Sequence, residues 1–254
     1  KTEIAALAEN GIKEIVLVRI NLSAYGKNEN FNIVDAVKIC SENEKIQRVR
    51  LGSLEPDHIT PEIVSELSKI EKFCPQFHIS LQSGCNKTLK NMNRHYTAEE
   101  YRELCRLLRS SFENTSITTD VMVGFNEESE NDFYESLRFV QEIGFEKVHV
   151  FPYSQREGTS ASKKGDSVSK KEKERRAEIM INETEKIRKE YFQSLIGKSV
   201  RVLFENKAAE GIYQGYTKNY TPVRLESDTD IIGLETDTVI TGFSDEYCIS
   251  KLPI

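Results

Sequence analysis

The sequence predicts an α/β protein in two parts: a parallel sheet of five strands alternating with helices, then a small antiparallel barrel. Three observations predict this. Apolar strand-like runs alternate with amphipathic helical runs up to about Ser154, with the ~30-residue spacing of βαβ units. One long charged helical run follows. After Gly197 five short strands fall within ~57 residues, the density of a barrel of the oligonucleotide-binding type.

Residues 1–9 form an amphipathic helix, and EIVLVRI (14–20) is the first strand. NIVDAVKICSE (32–42) is a helix and QRVRLGS (47–53) the second strand. PEIVSELSKIEKF (61–73) is a helix with Thr60 as cap and Pro61 in its first turn. FHISLQ (77–82) is the third strand. TAEEYRELCRLLRSSF (97–112) is a helix in which Thr97 and Glu100 make a capping box. SITTDVMVG (116–124) is the fourth strand, and the helix over 128–144 closes at Gly144. KVHVFPYS (147–154) is the fifth strand. Crossovers should be right-handed, and both an open doubly wound sheet and a barrel-like sheet fit the periodicity. Residues 155–168 are polar, 169–193 form the charged helix, and short strands follow over 198–205, 210–217, 220–226, 237–243 and 246–252. The expected domains are 1–194 and 195–254.

With 38% hydrophobic and 30% charged residues in 254, the composition is that of a water-soluble globular protein. No run approaches the ~18 apolar residues of a membrane span, so no membrane partner is expected. A net charge of −6 excludes nucleic-acid binding by bulk charge and confines any RNA role to local patches. The cysteines, Cys40, Cys74, Cys85, Cys105 and Cys248, are odd in number and lack Cys-x-x-Cys spacing. A reducing cytoplasm is the expectation, with no disulfide framework and no metal ligands in this stretch. The chain starts without Met and runs straight into a helix, so it is expected to begin inside a longer protein.

Polar residues and glycines gather where each strand ends. The ends read Arg19-Ile-Asn21, Gly52-Ser53-Leu54-Glu55, Ser80-Leu-Gln82-Ser83-Gly84, Gly124-Phe125 and Tyr153-Ser154-Gln155-Arg156. Any one of these is explained by turn chemistry. Five in series point to one extended ligand site, because the carboxyl edge of a parallel sheet is where loops converge. That edge offers a carboxylate (Glu55), an amide (Gln82), hydroxyls (Ser53, Ser80) and a guanidinium (Arg156). No catalytic Ser-His-Asp or Cys-His order appears, and nothing near Cys85 in sequence would activate its thiol. Such groups hold a polar cofactor by hydrogen bonds and leave the reactive chemistry to it.

The blocks RLGSLEPDHITPE, FHISLQSGCNKTLKNMNRHYTAEEY, TTDVMVGF and HVFPYSQREGT resemble the radical S-adenosylmethionine methylthiotransferases. Within that family they are most similar to the branch acting on N6-threonylcarbamoyladenosine in tRNA. The resemblance covers essentially the whole chain and implies an incomplete parallel (β/α) barrel, of which these strands are the second to the sixth, followed by a TRAM domain. It implies S-adenosylmethionine as cofactor, with Asn21, Ser53, Glu55, Ser80, Gln82, Gly124 and Arg156 around it. The [4Fe–4S] clusters of the full-length protein would have their ligands upstream of Lys1, so this portion alone would be inactive. The implied reaction is methylthiolation of C2 of the modified adenosine next to the anticodon, with the tRNA anticodon stem-loop and an electron donor as partners. Isopentenyladenosine tRNA, a ribosomal-protein aspartate and a non-catalytic RNA-binding relic are the alternatives. Two departures stand out: Arg19 where the family has Gly, and Gly124-Phe125-Asn126-Glu127-Glu128 where it reads Gly-Phe-Pro-Gly-Glu.

The TRAM resemblance implies an RNA clamp built from Lys198, Arg201, Lys207, Lys218 and Arg224 with Tyr213, Tyr216 and Tyr220 interleaved. Basic groups meet phosphates and tyrosines stack on unpaired bases. From Ser194 on there are six basic and nine acidic residues, a net of −3, so charge would have to segregate by face. Packing of the tyrosines inside the barrel is the competing expectation. A basic run, Lys163, Lys164, Lys170, Lys171, Lys173, Arg175 and Arg176, reads as a solvated helix face or an extension of the RNA surface.

Overall fold

The computed structural model describes residues 1–19, 22, 25–26, 31–156, 158, 162 and 165–253. Helix α1 (Thr2–Glu9) leads into strand β1 (Glu14–Leu17). Then come α2 (Ile33–Ser41), β2 (Arg48–Leu51), β3 (Ser53–Leu54), α3 (Pro61–Leu67), β4 (Gln76–Ile79), α4 (Asn86–Asn91), α5 (Ala98–Ser111), β5 (Ser116–Val123), α6 (Glu130–Ile143), β6 (Lys147–Pro152) and α7 (Lys170–Leu195). Strands β1 and β2 pair in parallel, and β3-β4-β5-β6 form a second parallel run. β2 and β3 are one strand broken at Gly52, whose N–H still reaches Leu17. The path therefore curves as the partial barrel requires.

Strand parity sorts the residues. On β5, Ile117, Thr119, Val121 and Val123 are buried, while Thr118, Asp120 and Met122 on the opposite face are half-exposed. The buried set joins Phe77, Ile79 and Leu81, with Tyr101, Leu104 and Leu108 of α5 and Phe133, Leu137 and Val140 of α6, in one large core. Each such side chain contributes about 1.5–3 kcal/mol by leaving water. Helix starts follow the expected chemistry: Thr97 and Glu100 form a reciprocal capping box, and α6 ends at Gly144 with φ 64°.

Several boundaries differ from expectation. α3 stops at Leu67, not near residue 73, because residues 72–74 turn back to hydrogen-bond Val49 on β2. β1 ends at Leu17; Ile20 and Asn21 lie outside the described residues. β4 stops at Ile79, and α4, absent from the sequence expectation, follows the turn after it.

The remaining chain forms β7 (Ser199–Ala209), β8 (Ile212–Thr217), β9 (Pro222–Glu226), β10 (Glu235–Phe243) and β11 (Cys248–Lys251), closed as a barrel in the order β10-β11-β9-β8-β7. Its pairings are antiparallel except β11 with β9, which run parallel. The expected small barrel is thus present, and its last strand closes it by running alongside β9. Its core takes in Phe192 from the end of α7, so this helix serves both cores. Among the described residues no helix is long and apolar enough to cross a membrane.

Candidate S-adenosylmethionine site at the carboxyl edge

Ser53 pairs with His78 and Leu54 with Ile79. The second strand end is thereby set against the third. The third then leaves its partners, and its carbonyls need new donors. Tyr101 Oη and Thr119 Oγ1 donate to Ile79, at 2.8 and 2.6 Å. Tyr96 Oη reaches the carbonyls of Ser80 and Leu81 at 2.8 and 3.0 Å. The Leu81 N–H donates to Thr119 Oγ1, and the Gly84 N–H to Ser136 Oγ. Gln82 sits at φ +66°, a conformation non-glycine residues seldom hold without support. Here its N–H bonds Asp120 and its carbonyl accepts from Met122. A turn fixed so thoroughly presents Ser80 and Gln82 in one geometry. Gly84 is required by packing, since a Cβ there would lie 2.5 Å from that of Phe139.

Glu55 is half-buried and takes Arg94 Nη1 at 3.1 Å. Arg94 comes from the NMNRHY stretch, so the block after the turn reaches back to orient the carboxylate before it. Arg156 is exposed. Cys85 is 1% exposed, and burial pushes its thiol up, as suits a packing residue.

Gly124 has a different occupant from the one expected. Its N–H donates to Glu128 Oε1 at 2.8 Å, and a Cβ would lie 2.4 Å from Lys173 Cγ. The missing side chain makes room for a lysine stem, so packing against Lys173 by itself requires glycine at 124. Lys173 bonds the Tyr153 carbonyl and Asp166, and Arg176 forms a buried ion pair with Glu128 at 2.7 Å. Arg176 therefore ties α7 to the loop after β5 and Lys173 ties it to the chain after β6, and both are buried rather than on a solvated face. In that loop Glu127 takes φ +65° and its N–H bonds Ser167 Oγ, while Asn126 Oδ1 accepts from the Ser167 N–H. The turn keeps the shape that a glycine at 127 would favour, at a strain of about 1 kcal/mol.

The inner face below the turn is polar. His78 donates Nε2–H to Asp120 Oδ2 at 3.3 Å, and its Nδ1 lies 3.0 Å from Thr118 Oγ1. That contact holds the Asp120 carboxyl below its ordinary range. His149 pairs with Asp120 across β5 and β6, its ring 5.9 Å from that of His78.

The amino edge is built differently. Arg48 is fully buried, donating to Glu235 at 2.6 Å and to the Tyr216 carbonyl at 2.7 Å. Arg50 takes Glu14 at 2.8 Å and the Lys218 carbonyl at 3.1 Å, and stacks on Tyr220 at 4.4 Å. Tyr220 in turn stacks on Tyr216 at 4.3 Å. The small barrel is thus docked on the amino edge. A cleft of about 590 Å³ remains between that edge, α7 and the small barrel. The eight RNA candidates divide accordingly. Tyr213 is 5% exposed in the small core, which corrects its reading as a base stack. Tyr216, Lys218 and Tyr220 serve the docking, with Lys218 Nζ on the Glu71 carbonyl. Arg201 is paired with Glu235 and Asp237, and Arg224 lies 3.7 Å over Tyr247. Lys198 and Lys207 face solvent.

Residues 1–140 match the family model described as the radical SAM superfamily. The chain belongs to the radical SAM superfamily. The radical SAM fold is also seen in its likeness to coproporphyrinogen III oxidase from Escherichia coli, with a TM-score of 0.59 at 14% identity over 85% of this chain and 58% of that one. The chain is 34% identical to a tRNA-2-methylthio-N(6)-dimethylallyladenosine synthase of Natranaerobius thermophilus, over 95% of its own length and 54% of the relative's. It is 33% identical to the threonylcarbamoyladenosine tRNA methylthiotransferase MtaB of Thermotoga maritima, over 98% of its own length and 57% of the relative's. It thus spans about half the length of these curated relatives.

The fit of radical SAM cofactors can be judged from the side chains. The fixed hydroxyl, amide and carboxylate at the carboxyl edge suit a polar zwitterionic ligand such as S-adenosylmethionine. Among the described residues no three His, Cys, Asp or Glu side chains are placed to hold a metal ion, and all five cysteines are separate and buried. An iron–sulfur cluster does not fit the described residues.

Proposed function

We propose that the chain is the cofactor-holding and RNA-docking part of a radical S-adenosylmethionine tRNA methylthiotransferase. Its substrate in this reading is the N6-threonylcarbamoyladenosine beside the anticodon in the tRNA stem-loop. What carries the reading is the fixed turn Ser80–Gly84, lying in a chain about one-third identical along nearly its whole length to two such enzymes. The bound cofactor supplies the radical chemistry, which needs an outside electron donor. Ser80 and Gln82 hydrogen-bond it, with Ser53 on the adjoining strand. Glu55, oriented by Arg94, takes its ammonium group. Arg156, and Asn21 outside the described residues, complete the contacts. Tyr96, Tyr101 and Thr119 hold the turn. Lys198, Lys207, Arg201 and Arg224 are the RNA contacts left by the docking of the small barrel. An RNA substrate and five free thiols suit the cytoplasm.

The 34% identity to a dimethylallyladenosine synthase favours a second reading in which the N6 group is dimethylallyl. Mass spectrometry of tRNA nucleosides from cells with the gene deleted and restored tests both. The 2-methylthio form of threonylcarbamoyladenosine should vanish and return. Loss of the dimethylallyl form instead moves the assignment to the second reading. If neither changes, the proposal fails.

A further inference from the structure

The relatives divide between two N6 substituents at near-equal identity, one polar and one apolar. The inner face of the sheet holds groups able to tell them apart. His149 lies on β6 opposite Asp120, on the face that also carries His78, Ser80 and Met122. Gln82 is bonded to the backbone of Asp120 and Met122, so this pair lies directly beneath the candidate cofactor turn. One carboxylate oxygen of Asp120 is taken by His78; the other has no partner among the described residues. The His149 ring nitrogens have none there either, although the side chain is half-buried. Phe151 and Met122, one pleat above, supply apolar surface for a base, and Lys147, one pleat below, adds a cation.

We propose that His149, with Asp120 beside it, reads the N6 substituent of the substrate adenosine and favours one that hydrogen-bonds. The inference rests on the reading that an N6-modified adenosine is the substrate. A threonylcarbamoyl group presents N–H and hydroxyl donors for the free oxygen of Asp120. It also presents carbonyl and carboxylate oxygens for a ring N–H of His149. Burial and the neighbouring Lys147 push the His149 imidazole down, so near neutrality it offers one donor and one acceptor. A dimethylallyl group would cover both residues and answer neither. Sites built to hydrogen-bond a substrate reject analogues that leave them unpaired.

The test is binding of synthetic anticodon stem-loops carrying threonylcarbamoyladenosine, dimethylallyladenosine or unmodified adenosine to the full-length protein, read by fluorescence anisotropy. The wild type should prefer the threonylcarbamoyl loop over the dimethylallyl loop by about tenfold, the worth of one well-made hydrogen-bonding pair. His149→Phe should erase or invert that ratio, and His149→Gln should keep most of it, with thermal melts showing all three folded. If His149→Phe keeps the wild-type ratio, or the wild type shows no preference between the modified loops, this inference is overturned while the methylthiotransferase reading stands. If modification of the loop changes nothing at all, both are overturned.

Discussion

The two edges of one sheet use polar side chains in opposite ways. At the amino edge Arg48 and Arg50 are buried beside a half-buried Glu14, and their charges are met by Glu235, by backbone carbonyls of the small barrel and by one another. At the carboxyl edge Ser80 is buried and Gln82 and Glu55 are half-buried, and the turn carrying Ser80 and Gln82 is fixed by Tyr96 and by the backbone of Asp120 and Met122. The first arrangement joins the sheet to the small barrel; the second is the one we propose receives a ligand. Composition does not separate the two edges. What separates them is that the amino-edge arginines are bonded to the small barrel, whereas Glu55 is bonded to Arg94 of the loop after α4.

Breaking the amino edge should have the largest effect. Arg48→Ala would leave Glu14, Glu235 and the Tyr216 carbonyl without their shared donor. A loss of about 3–5 kcal/mol is expected, as for breaking a buried ion pair, read from urea unfolding. A loss below about 1 kcal/mol would mean that the docking contributes little to the fold.

A smaller change at the same edge sharpens the contrast. Burial raises the Glu146 carboxyl to about 7, even though it accepts the Ile117 N–H. Below its unfolded value of ~4.3 both states are protonated and nothing is lost. As the pH climbs from there through 7, the unfolded chain ionises first and stability falls. Above 7 the penalty is full and constant. Glu146→Gln, which keeps an acceptor for Ile117, should therefore stabilise by about 2 kcal/mol at pH 8 and by little near pH 4. Thermal melts across that range check it, and a gain independent of pH would contradict it.

Much of this was legible in the sequence. The capping box at Thr97 and Glu100 and the stop at Gly144 are local chemistry, and they mark the ends of α5 and α6. Alternation along residues 116–124 separates the helix-facing from the inner side. The gathering of polar residues at strand ends located the edge where the site is proposed. Other features depend on distant partners. Tyr101 has the spacing of a core residue on α5, and nothing local says that its hydroxyl holds the Ile79 carbonyl. Nothing local to residues 47–53 marks Arg48 and Arg50 as buried, because their acceptors lie in the small barrel. Gly124 reads as a turn glycine until Lys173, from a helix much later in the chain, is seen filling its space. The pattern of tyrosines after residue 210 could not tell core from dock from surface, and the structure assigns Tyr213 to the first and Tyr216 and Tyr220 to the second.

The most direct test of the contrast between the edges is calorimetric titration of S-adenosylmethionine into the full-length protein. The double variant Ser80→Ala, Gln82→Ala should bind at least about tenfold more weakly, roughly 1.4 kcal/mol, with its melting temperature unchanged. Glu146→Gln, at the other edge, should bind as the wild type does. Unchanged binding in the double variant, or equal weakening in Glu146→Gln, would contradict the assignment of the carboxyl edge as the site.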